Sequence, residues 1–352
     1  MYVLGIESSC DETAAAVVAD GHRVLSNVIA SQIAVHRPFG GVVPELASRH
    51  HLVNVIPVIR QALTEATQVD ELCTGLAALD AVAVTVGPGL VGALMVGLQA
   101  AKGICVATGL PIVGVNHLDA HLEAVQAGRG ETNPGPTFPH VALLVSGGHT
   151  LLLLVRKRGH YELLGSTRDD AAGEAFDKVA KMLGLAYPGG PAISRAARKG
   201  DPAAVHFPRA LRRRGELDMS FSGLKTAVRL YLEKNGRPRT DAEMADICAS
   251  VEEAVVDVLV SKLTQAVRST GVSQLVIAGG VAANKRLRGR VGAFARAEGL
   301  RVSMPDAVLC TDNAVMTAVA GTRRFLEEGA DSLDLDARAR WLPAGRDRGS
   351  YR

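Results

Sequence analysis

Residues 140–167, HVALLVSGGHTLLLLVRKRGHYELLGST, contain two long apolar runs separated by a short turn of small and hydroxyl-bearing residues. Residues 2–27, YVLGIESSCDETAAAVVADGHRVLSN, follow the same plan with little sequence identity. Apolar runs bounded by turn-forming residues are typical of buried strands. Two unrelated hairpins would also produce this pattern. We favour a duplicated α/β domain in which each copy opens with a hairpin and a cleft lies between the copies.

The composition sets limits on the class of protein. A chain of 352 residues, 47% hydrophobic and 21% charged, has room for about two globular domains. A net charge of +3 argues against a protein that coats nucleic acid, although a local basic patch is compatible with it. The five cysteines are scattered without a C-x-x-C pair, which argues against a disulfide framework and favours a reducing cytoplasm. The segment MYVLGIESSCDE lacks the basic region of a signal peptide.

One uncharged stretch, residues 81–101, is long enough to cross a bilayer. The sequence Gly87-Pro88-Gly89 interrupts it, and proline in a helix interior costs about 3 kcal/mol. We therefore predict a buried strand over 80–86, a glycine turn and a helix of small residues, with no membrane association.

Helices and strands follow the hydrophobic periodicity along the rest of the chain. The pattern predicts helices over 44–66, 169–184 and 241–269, a loop over 188–218, a strand over 274–280 and a helix from about Ala282.

The stretch VNHLDAHLEA, residues 115–124, sets His117 and His121 four residues apart. On a helix both rings leave the same face, so the pair is either a divalent-metal site in part or a solvated helix face. Asp312, in CTDNAVM, is a candidate third ligand or a helix N-cap. Two imidazoles and a carboxylate suit Fe(II) or Zn, with His149 as a possible further ligand. The other seven histidines share no ligand spacing and are expected to be surface or packing residues.

Three loops have the composition of phosphate or adenine sites: ESSCDET (7–13), VSGGHT (145–150) and AGGVAAN (278–284). Backbone N–H groups and hydroxyls in such turns can hold an anion, and glycines allow close approach of a ligand. Each turn alone is ordinary in α/β proteins. Three in one chain favour a nucleotide-binding protein.

Nine motifs together resemble those of the bacterial TsaD family, the tRNA N6-adenosine threonylcarbamoyltransferases once labelled O-sialoglycoprotein endopeptidases. They are GIESSCDET, GGVVPELASR, GPGLVGALMVG, NHLDAHL, LLVSGGHT, DDAAGEAFDKVAKMLGLAYPGGP, FSGLKT, AGGVAAN and CTDNA, in this order up to about residue 340. The resemblance implies a two-lobed actin/Hsp70/sugar-kinase-like (ASKHA) α/β fold, with duplicated ribonuclease-H-like domains and a nucleotide cleft between them. We expect an N-terminal lobe of residues 1–115 and about 312–340, a C-terminal lobe of 116–311 and a disordered tail over 341–352.

The resemblance also implies an activity: transfer of threonylcarbamoyl from threonylcarbamoyl-adenylate to N6 of the adenosine at position 37 of tRNA, with release of AMP. His117, His121 and Asp312 would bind the metal, Fe²⁺ in family members, with Zn²⁺ or another divalent ion as alternatives. The implied substrate-binding residues are Leu144, Val145, Ser146, Gly147, Gly148, Asp177, Gly190 and Asn284. Asp119-Ala120 replaces the Glu-Gly expected between the two histidines in many relatives, and neither residue is a ligand.

The reaction needs a base for the amine proton, and Asp11 and Glu12 in the first loop are the candidates. They are equally suited to holding a second cation or capping the hairpin. Two basic clusters are candidates for tRNA contact or simply solvated surface: Arg212, Arg213 and Arg214, and Arg156, Lys157 and Arg158. The family implies a cytoplasmic enzyme that works with an inactive TsaB-like paralogue and a TsaE-like ATPase. The helix predicted over 44–66 is our candidate partner surface.

Other classes remain open at the level of sequence. A kinase or ATPase of the same superfold would use Mg²⁺, and the paired histidines count against it. A metalloprotease, the family's earlier label, would need H-E-x-x-H, and position 118 is leucine. A non-enzymatic ATPase scaffold would turn over bound nucleotide without transfer to tRNA.

Overall fold

A computed structural model describes residues 1–128, 135–211, 213 and 215–341, whose contacts divide them into two compact units. The first unit takes the described residues up to Gly135 and those from Asp312, and the second takes those from Pro136 to Thr311. This division differs from the boundary expected after residue 115, because helix α5 (His117–Glu123) packs against the last helix of the first unit, α11 (Ala314–Glu328). Except for Trp341, the predicted disordered tail lies outside the described residues, as do Arg212 and Arg214.

The first unit contains a five-stranded sheet in the order β3-β2-β1-β4-β5. Its strands are β1 (Tyr2–Glu7), β2 (Glu12–Ala19), β3 (Arg23–Ser31), β4 (Ala81–Gly87) and β5 (Ile112–Asn116). The first three are antiparallel neighbours, whereas β1, β4 and β5 run parallel. Besides α5 and α11, its helices are α1 (Ile33–His36), α2 (Pro44–Thr67), α3 (Leu72–Ala77) and α4 (Val91–Thr108), with 3-10 turns at Arg37–Phe39 and Ala124–Gln126.

The second unit repeats this plan with the order β10-β9-β6-β7-β8. Its strands are β6 (His140–Val145), β7 (Thr150–Lys157), β8 (His160–Ser166), β9 (Gln274–Ala278) and β10 (Arg301–Ser303). Its helices are α6 (Ala172–Leu183), α7 (Gly189–Ala196), α8 (Ser222–Asn235), α9 (Asp241–Thr270) and α10 (Lys285–Ala297), with 3-10 turns at Ala197–Lys199, Gly280–Ala283 and Ala307–Leu309. In both units an antiparallel hairpin pair leads into parallel strands, so the predicted duplication of an α/β domain is confirmed.

Most predicted elements are present within a few residues of their expected limits, but the loop predicted over 188–218 is wrong in its first part. Helix α7 begins there at Gly189. The side chain of Asp177, on α6, accepts a hydrogen bond from the Gly189 N–H at 2.6 Å. The start of α7, Gly-Gly-Pro, has low helix propensity, so a tertiary contact rather than local sequence stabilises this helix.

Helix α4 passes the length and composition test for a membrane span, with a mean hydropathy of 1.5 over 18 residues. In the first unit it packs against α2 and β4. The strand, glycine turn and helix predicted for this apolar stretch are confirmed.

Helix α11 packs closely against the sheet of the first unit because glycines remove side chains from the contact. A Cβ added at Gly321 would overlap the Cβ of Ala83 on β4, and one added at Gly5 on β1 would overlap the Ala314 carbonyl. This close approach determines where the start of α11, and therefore Asp312, lies relative to the ends of β1 and β5.

We expect Gly321→Ala to destabilise the protein by about 1–3 kcal/mol, because the added methyl forces α11 away from β4. The free energy of unfolding from urea titration measures the effect. Gly103→Ala on the exposed side of α4 is the matched control, since a Cβ there meets no atom within 4 Å in the part of the chain that the structure describes. It should stabilise the helix by about 0.5–1 kcal/mol. Equal unfolding midpoints for the two variants would contradict the packing argument.

Candidate metal centre and substrate loops

Two histidines lie side by side at the carboxyl end of β5. Helix α5 begins directly after the strand, and the side chain of Asn116 caps it by accepting hydrogen bonds from the N–H groups of Leu118 at 2.8 Å and Asp119 at 3.3 Å. The rings of His117 and His121 have centroids 4.6 Å apart. Both residues are buried. The predicted helix with two histidines on one face is therefore confirmed.

Asp312 lies beside both imidazoles. Its Oδ1 is 3.2 Å from His121 Nε2 and 3.6 Å from His117 Nε2. One donor atom from each of the three side chains lies within 4.8 Å of the other two. The N-cap of α11 is Asn313, whose side chain accepts a hydrogen bond from the Met316 N–H at 3.1 Å, so the alternative role of Asp312 as that cap is wrong.

The donor set fits a divalent cation. Among the described residues, neither ring nitrogen of His121 has a hydrogen-bond partner, although the residue is only 1% exposed. The short distance from its Nε2 to Asp312 lacks hydrogen-bond geometry. Burying an unpaired polar group costs free energy, and a metal ion removes that cost at one ring nitrogen by accepting its lone pair. Two imidazoles and one carboxylate form a set that Fe(II) and Zn accept.

Glu7, at the end of β1, orients His117. It is fully buried, and its Oε2 lies 3.2 Å from His117 Nδ1. The same carboxylate accepts hydrogen bonds from the Ser9 N–H at 2.7 Å and the Thr85 hydroxyl at 2.6 Å. A carboxylate on Nδ1 fixes the tautomer that leaves Nε2 facing Asp312. Glu7 is predicted only as part of the 7–13 loop, and its role beside His117 is not; the available signal is a carboxylate ending an otherwise apolar buried strand.

Burial and neighbouring charges shift the pKa values of the residues in this site. Burial lowers the pKa of His117, but the negative charges of Asp312 and Glu7 outweigh it and raise the pKa to about 9. Burial raises the pKa of Glu7, but the charge and hydrogen bond of His117 make it lower than usual overall. At neutral pH His117 is therefore protonated in the metal-free protein, and a metal must displace this proton.

We expect the apparent affinity for a divalent metal to increase about tenfold for each unit by which the pH is raised, up to about pH 9, because His117 must lose its proton before it binds the metal. Chelator competition at several pH values measures this. In the metal-free protein the raised pKa of His117 contributes to folding stability, and this contribution falls with rising pH whereas metal affinity rises. Its contribution is fully present below about pH 6.5 and is lost as the pH rises through about 9. Glu7→Gln should flatten the pH dependence of metal affinity, and a wild-type affinity independent of pH would contradict the assignment.

The loop between β1 and β2 carries both candidate bases. The Asp11 carbonyl accepts a hydrogen bond from the Gln32 N–H at 3.0 Å, and Glu12 accepts one from the Ser31 hydroxyl at 2.8 Å. Burial, with the negative charges of Asp11 and Asp312, raises the pKa of Glu12 to about 9. Glu12 therefore retains its proton at neutral pH, which suits a hydrogen-bond donor better than a base.

The first group of predicted substrate residues lies at the carboxyl end of β6 in the second unit. Leu144 and Val145 have fully buried side chains, so only their backbone can reach a ligand. Ser146 accepts a hydrogen bond from the His149 N–H at 3.1 Å. Gly147 and Gly148 are exposed, and a Cβ at either would meet no atom of the described residues within 4 Å. His149 belongs to this turn, and the three-residue donor group found among the described residues does not include it.

The remaining predicted substrate residues mark helix starts. Asp177, on α6, accepts a hydrogen bond from the first residue of α7, and the first turn of α7 contains Gly190. Asn284 caps α10 by accepting a hydrogen bond from the Leu287 N–H at 2.9 Å. The Asn284 amide also donates to Ser194 at 2.9 Å and to Glu252 at 2.7 Å. Because β6 and β9 are parallel neighbours, the loops after them lie at one edge of the sheet, as is usual for ligand sites in α/β proteins.

The chain is similar to known proteins over nearly its whole length. Residues 23–319 match the family described as "TsaD: tRNA N6-adenosine threonylcarbamoyltransferase". The protein of that name from Anaeromyxobacter dehalogenans (strain 2CP-C) is 56% identical, over 96% of this chain and 98% of its own. The one from Syntrophus aciditrophicus is 50% identical, with 97% of each covered.

Two solved structures share the fold at low identity. Component A of the (R)-2-hydroxyglutaryl-CoA dehydratase of Acidaminococcus fermentans has a TM-score of 0.55 at 15% identity, covering 92% of this chain and 98% of its own. T. kodakarensis HypF has a TM-score of 0.59 at 16% identity, covering 93% of this chain and 48% of its own. Such likeness shows the ASKHA-type fold alone.

Proposed function

The chain belongs to the family of tRNA N6-adenosine threonylcarbamoyltransferases, and we propose that it uses threonylcarbamoyl-adenylate as donor to modify adenosine 37, releasing AMP in the cytoplasm. It is a transferase that forms threonylcarbamoyladenosine in tRNA, so tRNA and a nucleotide are its substrates. The observation that carries this conclusion is 56% identity over 96% of the chain.

The chemistry sets three requirements. The N6 amine is a weak nucleophile, because its lone pair is delocalised into the purine. As N6 bonds to the carbamoyl carbon, the bond from that carbon to the phosphate oxygen breaks, AMP leaves with the electron pair, and one N6 proton passes to a base. Catalysis therefore needs orientation of the substrates, stabilisation of the developing negative charge and a positioned base.

The metal centre serves the second requirement. A divalent ion is implied by the family, and we propose Fe²⁺, held by His117, His121 and Asp312 with Glu7 orienting His117. When bound, such an ion supplies Lewis-acid stabilisation of negative charge. The nitrogens of His121 have no hydrogen-bond partner among the described residues, which supports a role for these three side chains as metal ligands rather than as packing residues.

We propose Asp11 as the base. Asp11 lies two residues after Ser9, whose hydroxyl is 3.2 Å from His117 Nδ1. The loop that carries Asp11 and Glu12 therefore adjoins the metal ligands within the first unit. Glu12, which retains its proton at neutral pH, would act as its hydrogen-bonding neighbour rather than as a second base.

We propose that Leu144–Gly148, Asp177, Gly190 and Asn284 bind the donor. The open space above Gly147 and Gly148 supports backbone N–H contact with a phosphate. Leu144 and Val145 would contribute backbone groups only. Asp177 and Asn284 would act in part by holding the starts of α7 and α10, since both side chains are engaged there.

The other activities have less support. A metalloprotease would need an acid beside the first histidine of the pair, and Leu118 at that position is fully buried. A kinase or ATPase of the same fold would not need the buried histidine pair with Asp312.

We propose a TsaB-like paralogue and a TsaE-like ATPase as partners, with α2 as the docking helix. Leu52, Val53 and Ile56 on α2 are 66%, 70% and 46% exposed, which supports an apolar interface there. Leu52→Asp should weaken co-purification with a TsaB-like protein, and unchanged co-purification would exclude this face.

The basic cluster of Arg156, Lys157 and Arg158 has less support as a contact for tRNA phosphates, because Arg156 is ion-paired with Glu162 at 2.6 Å.

The decisive test is nucleoside mass spectrometry of tRNA. Depleting the protein in cells should abolish threonylcarbamoyladenosine, and expression of the wild-type chain should restore it. Purified protein given synthetic adenylate and unmodified tRNA should release one AMP per modified adenosine. An unchanged level of the modified nucleoside in depleted cells would refute the function.

A further inference from the structure

One buried histidine on α2 contacts the loop that carries the proposed base. His51 is fully buried. Its Nδ1 lies 2.8 Å from the Thr13 hydroxyl and its Nε2 lies 3.0 Å from the Cys10 carbonyl. These partners flank Asp11 and Glu12 in the chain. We propose that His51 is a positioning residue that holds this loop so that the Asp11 carboxylate meets the N6 proton.

The hydrogen-bond partners define the state of the ring. A carbonyl oxygen only accepts, so His51 Nε2 carries the hydrogen that it donates to Cys10. Nδ1 then has a free lone pair and accepts the Thr13 hydroxyl hydrogen. Burial lowers the pKa of His51 despite the Cys10 carbonyl and the charges of Glu7 and Asp11, which agrees with a neutral ring. Both nitrogens are occupied, so His51 is not a metal ligand.

The loop is also held through its backbone, besides the side-chain contacts of Ser9 and Glu12. The Ser9 carbonyl accepts a hydrogen bond from the Leu90 N–H at 2.8 Å, and the Asp11 carbonyl accepts one from Gln32. His51 adds a side-chain clamp on both sides of the two acidic residues. An apolar residue at position 51 would leave the Cys10 carbonyl and the Thr13 hydroxyl without these partners, and the loop could move. Catalysis is sensitive to such movement, since a misplacement of about 1 Å can cost about a hundredfold in rate.

The inference rests on Asp11 being the base, and the test separates the two claims. His51→Leu should lower kcat by about 30- to 100-fold, with KM for tRNA and adenylate and the bound metal content near wild type. His51→Gln should recover part of this loss, because its amide can donate to the Cys10 carbonyl. Thr13→Val, which removes only one of the two contacts, should lower kcat by about 3- to 10-fold.

A histidine in the second unit provides the matched control. His140 is 4% exposed and its Nδ1 lies 3.0 Å from the Thr137 carbonyl. His140→Leu should lower the melting temperature by an amount comparable to His51→Leu while kcat stays at wild type. If His51→Leu and Thr13→Val both keep kcat within twofold of wild type, His51 is a packing residue and the inference is wrong.

A double-mutant cycle distinguishes this failure from failure of the proposed base. If His51 acts through Asp11, then adding His51→Leu to Asp11→Asn should lower kcat by less than about threefold further. Full additivity would overturn the positioning role. Wild-type kcat in Asp11→Asn would refute the base itself, whatever the His51 variants do. If His51→Leu does not fold, Thr13→Val and His51→Gln decide the result.

Discussion

Replacing His121 with alanine is expected to remove the bound divalent metal and to lower the rate of threonylcarbamoyl transfer by about a hundredfold or more. The ring is almost wholly buried, its nitrogens have no hydrogen-bond partner in the described part of the chain, and it lies beside His117 and Asp312. His117 and Asp312 alone would bind the metal more weakly than the three ligands together. Metal per chain by elemental analysis, with the rate on unmodified tRNA, gives both readouts.

His140→Ala is the control for deleting a buried histidine in this chain. It should lower stability and leave metal content and transfer rate unchanged, since His140 contacts Thr137 and lies at the start of β6, whereas the 144–148 loop lies at the other end of that strand. Full metal occupancy together with a wild-type rate in His121→Ala would remove the metal centre from the proposed function.

The second large effect is expected at Asp11. Asp11→Asn should lower kcat by about a thousandfold, within the range of roughly 10²- to 10⁴-fold for loss of a general base. The KM for the adenylate should change by less than about threefold, because a base acts on the N6 proton rather than on donor binding. Single-turnover transfer measured by release of AMP gives the chemical step directly.

Glu12→Gln is the matched control for that experiment. The raised pKa of Glu12, about 9, means that glutamine imitates its protonated state at neutral pH. The variant should therefore lose less than about tenfold in kcat. If Glu12→Gln lowers kcat more than Asp11→Asn does, Glu12 rather than Asp11 is the base.

Most features that could be predicted from the sequence, such as the histidine pair and the repeated hairpins, follow from family motifs and local patterns. The histidine pair of α5 follows from a four-residue spacing on a helix, and the repeated hairpins follow from apolar runs around small turns. Both patterns lie within short windows, where hydrophobic periodicity is informative. The start of α7 shows the limit, because the Asp177 contact that stabilises it comes from another helix.

The histidine pair, the duplicated sheets and the glycine loops were determined by the sequence itself, because each depends on the spacing of neighbouring residues. Only the tertiary structure decided that Asn313 rather than Asp312 caps α11, that Glu7 orients His117, and that His51 clamps the acidic loop. These contacts join residues far apart in the chain. Their geometry depends on how helices pack on a sheet, for example through Gly321 against Ala83, and no local pattern encodes it.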